Sequence, residues 1–277
     1  MRYLLSDPAL TTRSPGEEFA RVVAGSRGAD VRVDLAVSLP TTFPLAAHRP
    51  RYTVRHLLKT ATVTEEPVSV VSEAVGALES SGDRYAGTPE AHFSPSLTKA
   101  GLTTVRATVP APAGLPDDPA LLAAFVDHRV VVRLCTVENE ALLHGSADHE
   151  VTGLLQLPGL RRQKADRAEP LDLIVTDSAA QVEEMGGSCD GIVTHPQRYW
   201  DMVRSGLLTR LGEVGVRVSR TRMVRPDQLL FGDFRAAVTL LEPGRSTLAL
   251  RDGVIEATVR LGLAVHLPQH LLLVETA

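Results

Sequence analysis

Cysteine is scarce: Cys135 and Cys189 are the only two in 277 residues. Two cysteines exclude a disulfide framework, and their separation matches no metal-ligand spacing, so both are expected reduced in a cytoplasmic protein. No apolar run reaches the roughly 18 residues that a membrane-spanning helix requires. The first ten residues carry Arg2 but no apolar segment of a secretory leader, so neither secretion nor membrane insertion is expected. A surplus of positive charge is also missing. Lys and Arg total 29 against 33 Asp and Glu, a formal net charge of −4, so nucleic acid is not an expected partner. Neither a glycine-rich phosphate loop nor a Gly-x-Ser-x-Gly elbow is present, which removes the commonest signatures of nucleotide binding and serine hydrolysis. Lysine is confined to Lys59, Lys99 and Lys164, and every other basic residue is arginine. Arginine suits subunit interfaces through its planar multidentate contacts. A GC-rich genome accounts for the same bias equally well.

What is present has the composition of a globular protein, 44% apolar and 22% charged, long enough for one or two domains around a real core. Ser14-Pro15-Gly16-Glu17-Glu18 predicts a capped helix running to about Ala24, with Phe19, Val22 and Val23 on one face. Alternation predicts a strand from Val31 to Ser38. Pro40, Pro44 and Pro50 then predict extended, non-helical chain. One or two broken strands are expected over Arg51 to Thr64, and another over Val68 to Val71. Ser72 to Ala100 is polar and too long for an ordinary connection, and Thr103 to Val109 resumes a clean alternation. Strand, polar excursion, strand is the outline of an extended β-arm.

Asp117, Asp118 and Pro119 open the strongest helical signal, which reaches about His144 with Gly145 as its stop. Arg161 to Pro170 reads as a charged linker, Leu171 to Glu184 as a helix, Gly191 to Val193 as a strand, and His195-Pro196 as the start of a helix through Val203. Val214 to Met223 is β-like. Further strands are expected on both sides of Gly232-Asp233, around Leu248 to Leu250, and over Ile255 to Val265 and Leu271 to Glu275.

The order of these parts, with Glu138-Asn139-Glu140-Ala141-Leu142-Leu143-His144-Gly145, Val151-Thr152-Gly153-Leu154-Leu155, Leu230-Phe231-Gly232-Asp233-Phe234 and Val265-His266-Leu267-Pro268, resembles the encapsulin shell proteins and the tailed-phage major capsid proteins. The resemblance covers about half the chain. It implies the α+β Hong Kong 97-type fold, divided as residues 1–60, N-terminal segment and start of the peripheral domain; 61–109, extended arm; 110–160, spine helix and peripheral domain; 161–228, axial domain; and 229–277, closing peripheral strands. It further implies a non-enzymatic subunit of an icosahedral shell, on the order of 60 copies, enclosing a cargo enzyme and holding no cofactor or metal. A capped helix close to the beginning of the chain favours encapsulin over phage capsid, and the long arm points to the more divergent encapsulin groups. By the same resemblance, Phe19, Val22 and Val23 are candidates for cargo contact, though stapling the helix to the core is the safer reading of the same residues. Arg204, Ser205, Gly206 and Leu207 are candidates for a pore lining. Because Asn139 is the only asparagine, covalent cross-linking between Lys99 on the arm and an asparagine is not expected.

Two other readings come from the residues. Cys189, Asp190 and His195 place a thiol, a carboxylate and an imidazole close in sequence, as a cysteine-dependent enzyme would need, although a turn explains them better. His144, Asp148, His149 and Glu150 gather possible metal ligands, but their spacing fits no standard site.

Overall fold

The computed structural model describes residues 13–26, 30–46, 53–73, 95–166 and 168–276. They fall into two compact units, the first drawn from 1–50, 104–138 and 242–261, the second from 51–103, 139–241 and 262–277.

The first unit begins with α1 (Pro15–Gly25). Ser14 accepts from the Glu17 amide while the Glu17 carboxylate accepts from the Ser14 amide, so two amides that a helix start leaves open are satisfied reciprocally. Strand β1 (Val31–Leu35) follows, with Val31 and Val33 inward and Arg32 and Asp34 outward. Against expectation, Leu39–Ala46 forms helix α2 despite its two prolines. Pro40 occupies the first turn, where an amide proton would have no helical partner, and the Leu39 amide is taken by the Ser246 hydroxyl at 2.8 Å.

In the second unit, a 3₁₀ turn (Arg55–Leu57) precedes β2 (Lys59–Thr62). Strands β3 (Val68–Glu73) and β4 (Pro95–Ala100) pair antiparallel, Val68 opposite Ala100 through Glu73 opposite Pro95. Residues 74–94 of the expected arm lie outside the described residues. Strand β5 (Thr103–Pro110), which belongs to the first unit from Thr104 onward, alternates as expected.

The long helical signal is a continuous right-handed run, α3 (Pro119–Phe125), a π turn (Val126–Val130) and α4 (Val131–His144), stopped by Gly145 at φ +89°. In the first unit, α1 packs directly on α3. A Cβ at Gly16 would lie 2.2 Å from the Ala123 carbonyl oxygen, so only glycine allows this approach. Asp127, on the π turn, accepts the buried Gly16 amide at 2.8 Å. Burial raises its pKa above the ordinary carboxylate value.

Beyond Gly145 the chain gives β6 (Arg161–Ala165), α5 (Leu171–Glu183), β7 (Gly191–Thr194), α6 (Pro196–Arg204), α7 (Leu207–Glu213), β8 (Arg217–Arg220) and β9 (Gln228–Gly232). After these come the single turn α8 (Phe234–Ala237), β10 (Val238–Glu242), β11 (Ser246–Arg251), β12 (Val254–Val265) and β13 (Leu271–Thr276). The expected linker at Arg161 is therefore a strand. Among the described residues it pairs only with β13, in parallel, at the edge of the five-stranded sheet β6-β13-β9-β7-β8, so its outer residues stay polar and hide the strand pattern. Ile174, Val175 and Val182 of α5, Met202 of α6, and Leu207 and Leu211 of α7 cover one face of this sheet. Phe234 and Leu57 close over Gly191 from its own unit, and β7, flanked by β9 and β8, is buried along its whole length.

In the first unit, β1 pairs with β11 and β11 with β12 through the Asp252-Gly253 turn, whose positive φ values of 47° and 71° suit a tight hairpin. The second half of β12 pairs with β10. β5 also pairs with β12.

Candidate assembly and pore surfaces

The β3–β4 ribbon has no third strand among the described residues. Strand β3 is anchored along its length: Val70 packs with Leu102, Leu241 and Ala264, the Glu73 amide donates to the His266 carbonyl at 2.9 Å, and His266 Nδ1 lies 3.1 Å from the Val71 carbonyl. The opposite face of the ribbon is bare. Val71 and Leu97 stand directly opposite each other and are 53% and 75% exposed, an apolar cross-strand pair in water. An isolated two-stranded ribbon is marginally stable, so an exposed apolar pair on one calls for a covering surface.

A second exposed apolar surface lies on α6. His195 caps this helix, its Nδ1 accepting the Gln197 amide at 3.2 Å. Met202 points into the core, whereas Trp200 and Val203 face out. The Arg220 guanidinium lies over the Tyr199 ring at 4.4 Å and near Trp200 at 5.3 Å, a cation–π arrangement that holds both rings in place. Sequence reading missed this cluster, because nothing in residues 199–200 announces a partner twenty positions away.

The pore candidates sit at the α6–α7 corner and behave differently from one another. Arg204 ends α6, its side chain 77% exposed and ion-paired with Asp201. Ser205 closes the helix, its hydroxyl donating to the Met202 carbonyl at 3.2 Å. Gly206 adopts φ +72° with open space around it, so its backbone conformation, not crowding, requires glycine. Leu207 starts α7 and is buried in the core, so its side chain cannot line a channel. The cargo candidates divide in the same way. Phe19 and Val23 are buried and hold α1 to its own unit, while Val22 remains half-exposed.

The geometry gives the enzymatic constellation no support. Burial pushes the Cys189 thiol up to about 12, with Asp190 and Glu183 acting in the same direction. His195 is engaged as a helix cap. A protonated, buried thiol is a poor nucleophile. His144 instead bonds the Met223 carbonyl at 2.8 Å, and Asp148 accepts from Ser146, Thr103 and the Glu150 amide. Among the described residues no group of three potential ligands could hold a metal ion, and no helix is long and apolar enough to cross a membrane.

No protein-family model and no curated protein matches the chain by sequence. Solved structures match it in fold. A virus-like particle from Pyrococcus furiosus aligns over 86% of this chain and 97% of its own, at 12% identity and TM-score 0.57. The SrpI encapsulin from Synechococcus elongatus aligns over 82% and 89%, at 15% identity and TM-score 0.53. The capsid of Myoviridae phage XM1 aligns over 81% and 91%, at 15% identity and TM-score 0.51. The chain has the Hong Kong 97-type capsid fold.

Proposed function

We propose that the chain is a shell subunit that assembles with its own copies into a closed icosahedral compartment of the encapsulin type, on the order of 60 subunits, in the cytoplasm. In this reading it encloses a cargo enzyme, passes small molecules through pores and catalyses nothing itself. The observation that carries it is the β3–β4 ribbon, anchored along one face of β3 and exposing Val71 and Leu97 on the other with no partner strand among the described residues. A neighbouring copy supplies the missing surface, and repetition of that contact closes a shell. Residues 61–109 are then the arm, 161–228 the axial domain, and the remainder the peripheral domain and spine. The Arg204-Ser205-Gly206 corner lines the pore, where a fixed ring of guanidinium groups favours anions. Val22 and the polar face of α1 present the cargo contact.

The test is Leu97→Asp beside deletion of Glu73 to Lys99, each followed by size exclusion and negative-stain electron microscopy. Both should abolish particles while leaving a folded subunit, and particles of unchanged size would overturn the arm assignment. The likeness to a phage capsid supports a second reading, a capsid that packages DNA. The ratio of absorbance at 260 and 280 nm separates the two, since hollow particles carry no nucleic acid.

A further inference from the structure

The outward face of β1, β11, β12 and β5 carries long arginines and short threonines around a hollow whose lining residues all belong to the first unit. Ala249 forms its floor. Its register partners are Arg32 on β1 and Glu256 on β12, so long side chains stand directly across from a methyl group and leave a depression between them. Arg106 and Arg251 complete the wall, with Thr247 and Thr258 at one end. The space, about 210 Å³, corresponds to roughly seven waters at ~30 Å³ each.

Three guanidinium groups meet two carboxylates here, and each carboxylate already has partners. Asp34 accepts from Arg32 Nε and Nη2 at 3.3 and 3.2 Å and from the Thr247 hydroxyl at 2.8 Å. Glu256 pairs with Arg106 at 3.5 Å and accepts from Thr258 at 3.4 Å. Arg251 has no ion pair among the described residues and is exposed. Since each guanidinium carries five N–H donors, Arg32 and Arg106 keep unused donors and Arg251 keeps a full set. The hollow therefore combines one surplus positive charge with donors arriving from several sides, an arrangement suited to the several oxygens of one tetrahedral anion.

We propose that this hollow binds a phosphate-type oxyanion, supplied either as free phosphate or as a phosphate of a nucleic-acid backbone. The site lies on one subunit and does not depend on the shell reading.

Calorimetric titration of the purified protein with inorganic phosphate at low ionic strength tests it. One saturable site per chain is expected, weakened about tenfold by Arg251→Gln, the effect of losing one charge-assisted contact, and unaffected by Arg235→Gln in the second unit. Ala249→Leu keeps every charge but fills the floor, and should abolish binding while circular dichroism shows an intact fold. No saturable heat, or equal binding by Arg251→Gln or Ala249→Leu, would overturn the proposal. A twenty-nucleotide single strand then identifies the source. If it displaces phosphate and weakens in parallel on Arg251→Gln, the backbone is the natural ligand; if it leaves bound phosphate in place, the free ion is. Either result upholds the site.

Discussion

Asn139 should be worth about 3 kcal/mol of stability. It is the chain's only asparagine, 2% exposed near the end of α4. Its side-chain oxygen accepts the Val54 amide at 2.8 Å, and its nitrogen donates to the Thr221 hydroxyl at 3.2 Å with Met223 Sδ at 3.3 Å. Truncation by Asn139→Ala leaves the Val54 amide without its acceptor beneath a side chain that is fully buried, which costs ~1–3 kcal/mol. Thr221 also accepts from the Met223 amide at 3.3 Å, so on that side only one ordinary hydrogen bond is lost, ~1 kcal/mol. Total stability for a domain is ~5–15 kcal/mol, so the loss is readily measured. Urea unfolding followed by far-ultraviolet circular dichroism is the assay. Asn139→Asp separates the contributions: it keeps the acceptor for Val54 but buries a carboxylate whose pKa burial must raise. A group with a raised folded pKa binds protons preferentially in the folded state, so this variant regains stability on acidification from pH 8 to pH 5, whereas Asn139→Ala does not. A loss below about 1 kcal/mol in Asn139→Ala, or a pH-independent Asn139→Asp, would refute the reasoning.

Gly16→Ala drives a methyl group against the Ala123 carbonyl and strains the Asp127 contact; thermal unfolding should show a loss of about 2 kcal/mol. Cys189, buried with its thiol pushed up to about 12, should resist iodoacetamide at pH 8 in the folded protein and react after denaturation, as mass spectrometry would record. His270 has its pKa lowered by burial, against opposing pulls from Asp233 and Glu73. The unfolded chain therefore takes up the proton first. The resulting stability is fully present above the unfolded value of about 6.5 and is lost as pH falls through the lower folded value. Melting temperatures at pH 7 and pH 5 should differ less in His270→Leu than in the parent.

The spine helix was legible because its own residues contain its signals, from Asp118 and Pro119 at the start to Gly145 at the stop. The strand β12 showed itself by alternation for the same reason. Elements whose stability comes from partners carry no such signal in their own residues. The edge strand β6 looks like a linker because only one side of it is paired among the described residues, and the prolines of α2 argue against a helix that a hydroxyl on distant Ser246 supports at its first turn. Helix α7 went unseen because its seven residues are too few to show periodicity. The candidate positions split along the same line. Sequence places Leu207 beside Arg204 and Val23 beside Val22, but which neighbour turns inward is decided by the packing around each helix.

Trp200 is the only tryptophan in the chain, and it stands 54% exposed on α6 with a guanidinium near its ring. The protein's whole indole emission thus originates at one surface position. Anything that covers α6 dries that ring and shifts its emission to shorter wavelength, while a covering elsewhere leaves the spectrum alone. The molecule carries an intrinsic optical gauge of this face, readable in real time and without a label.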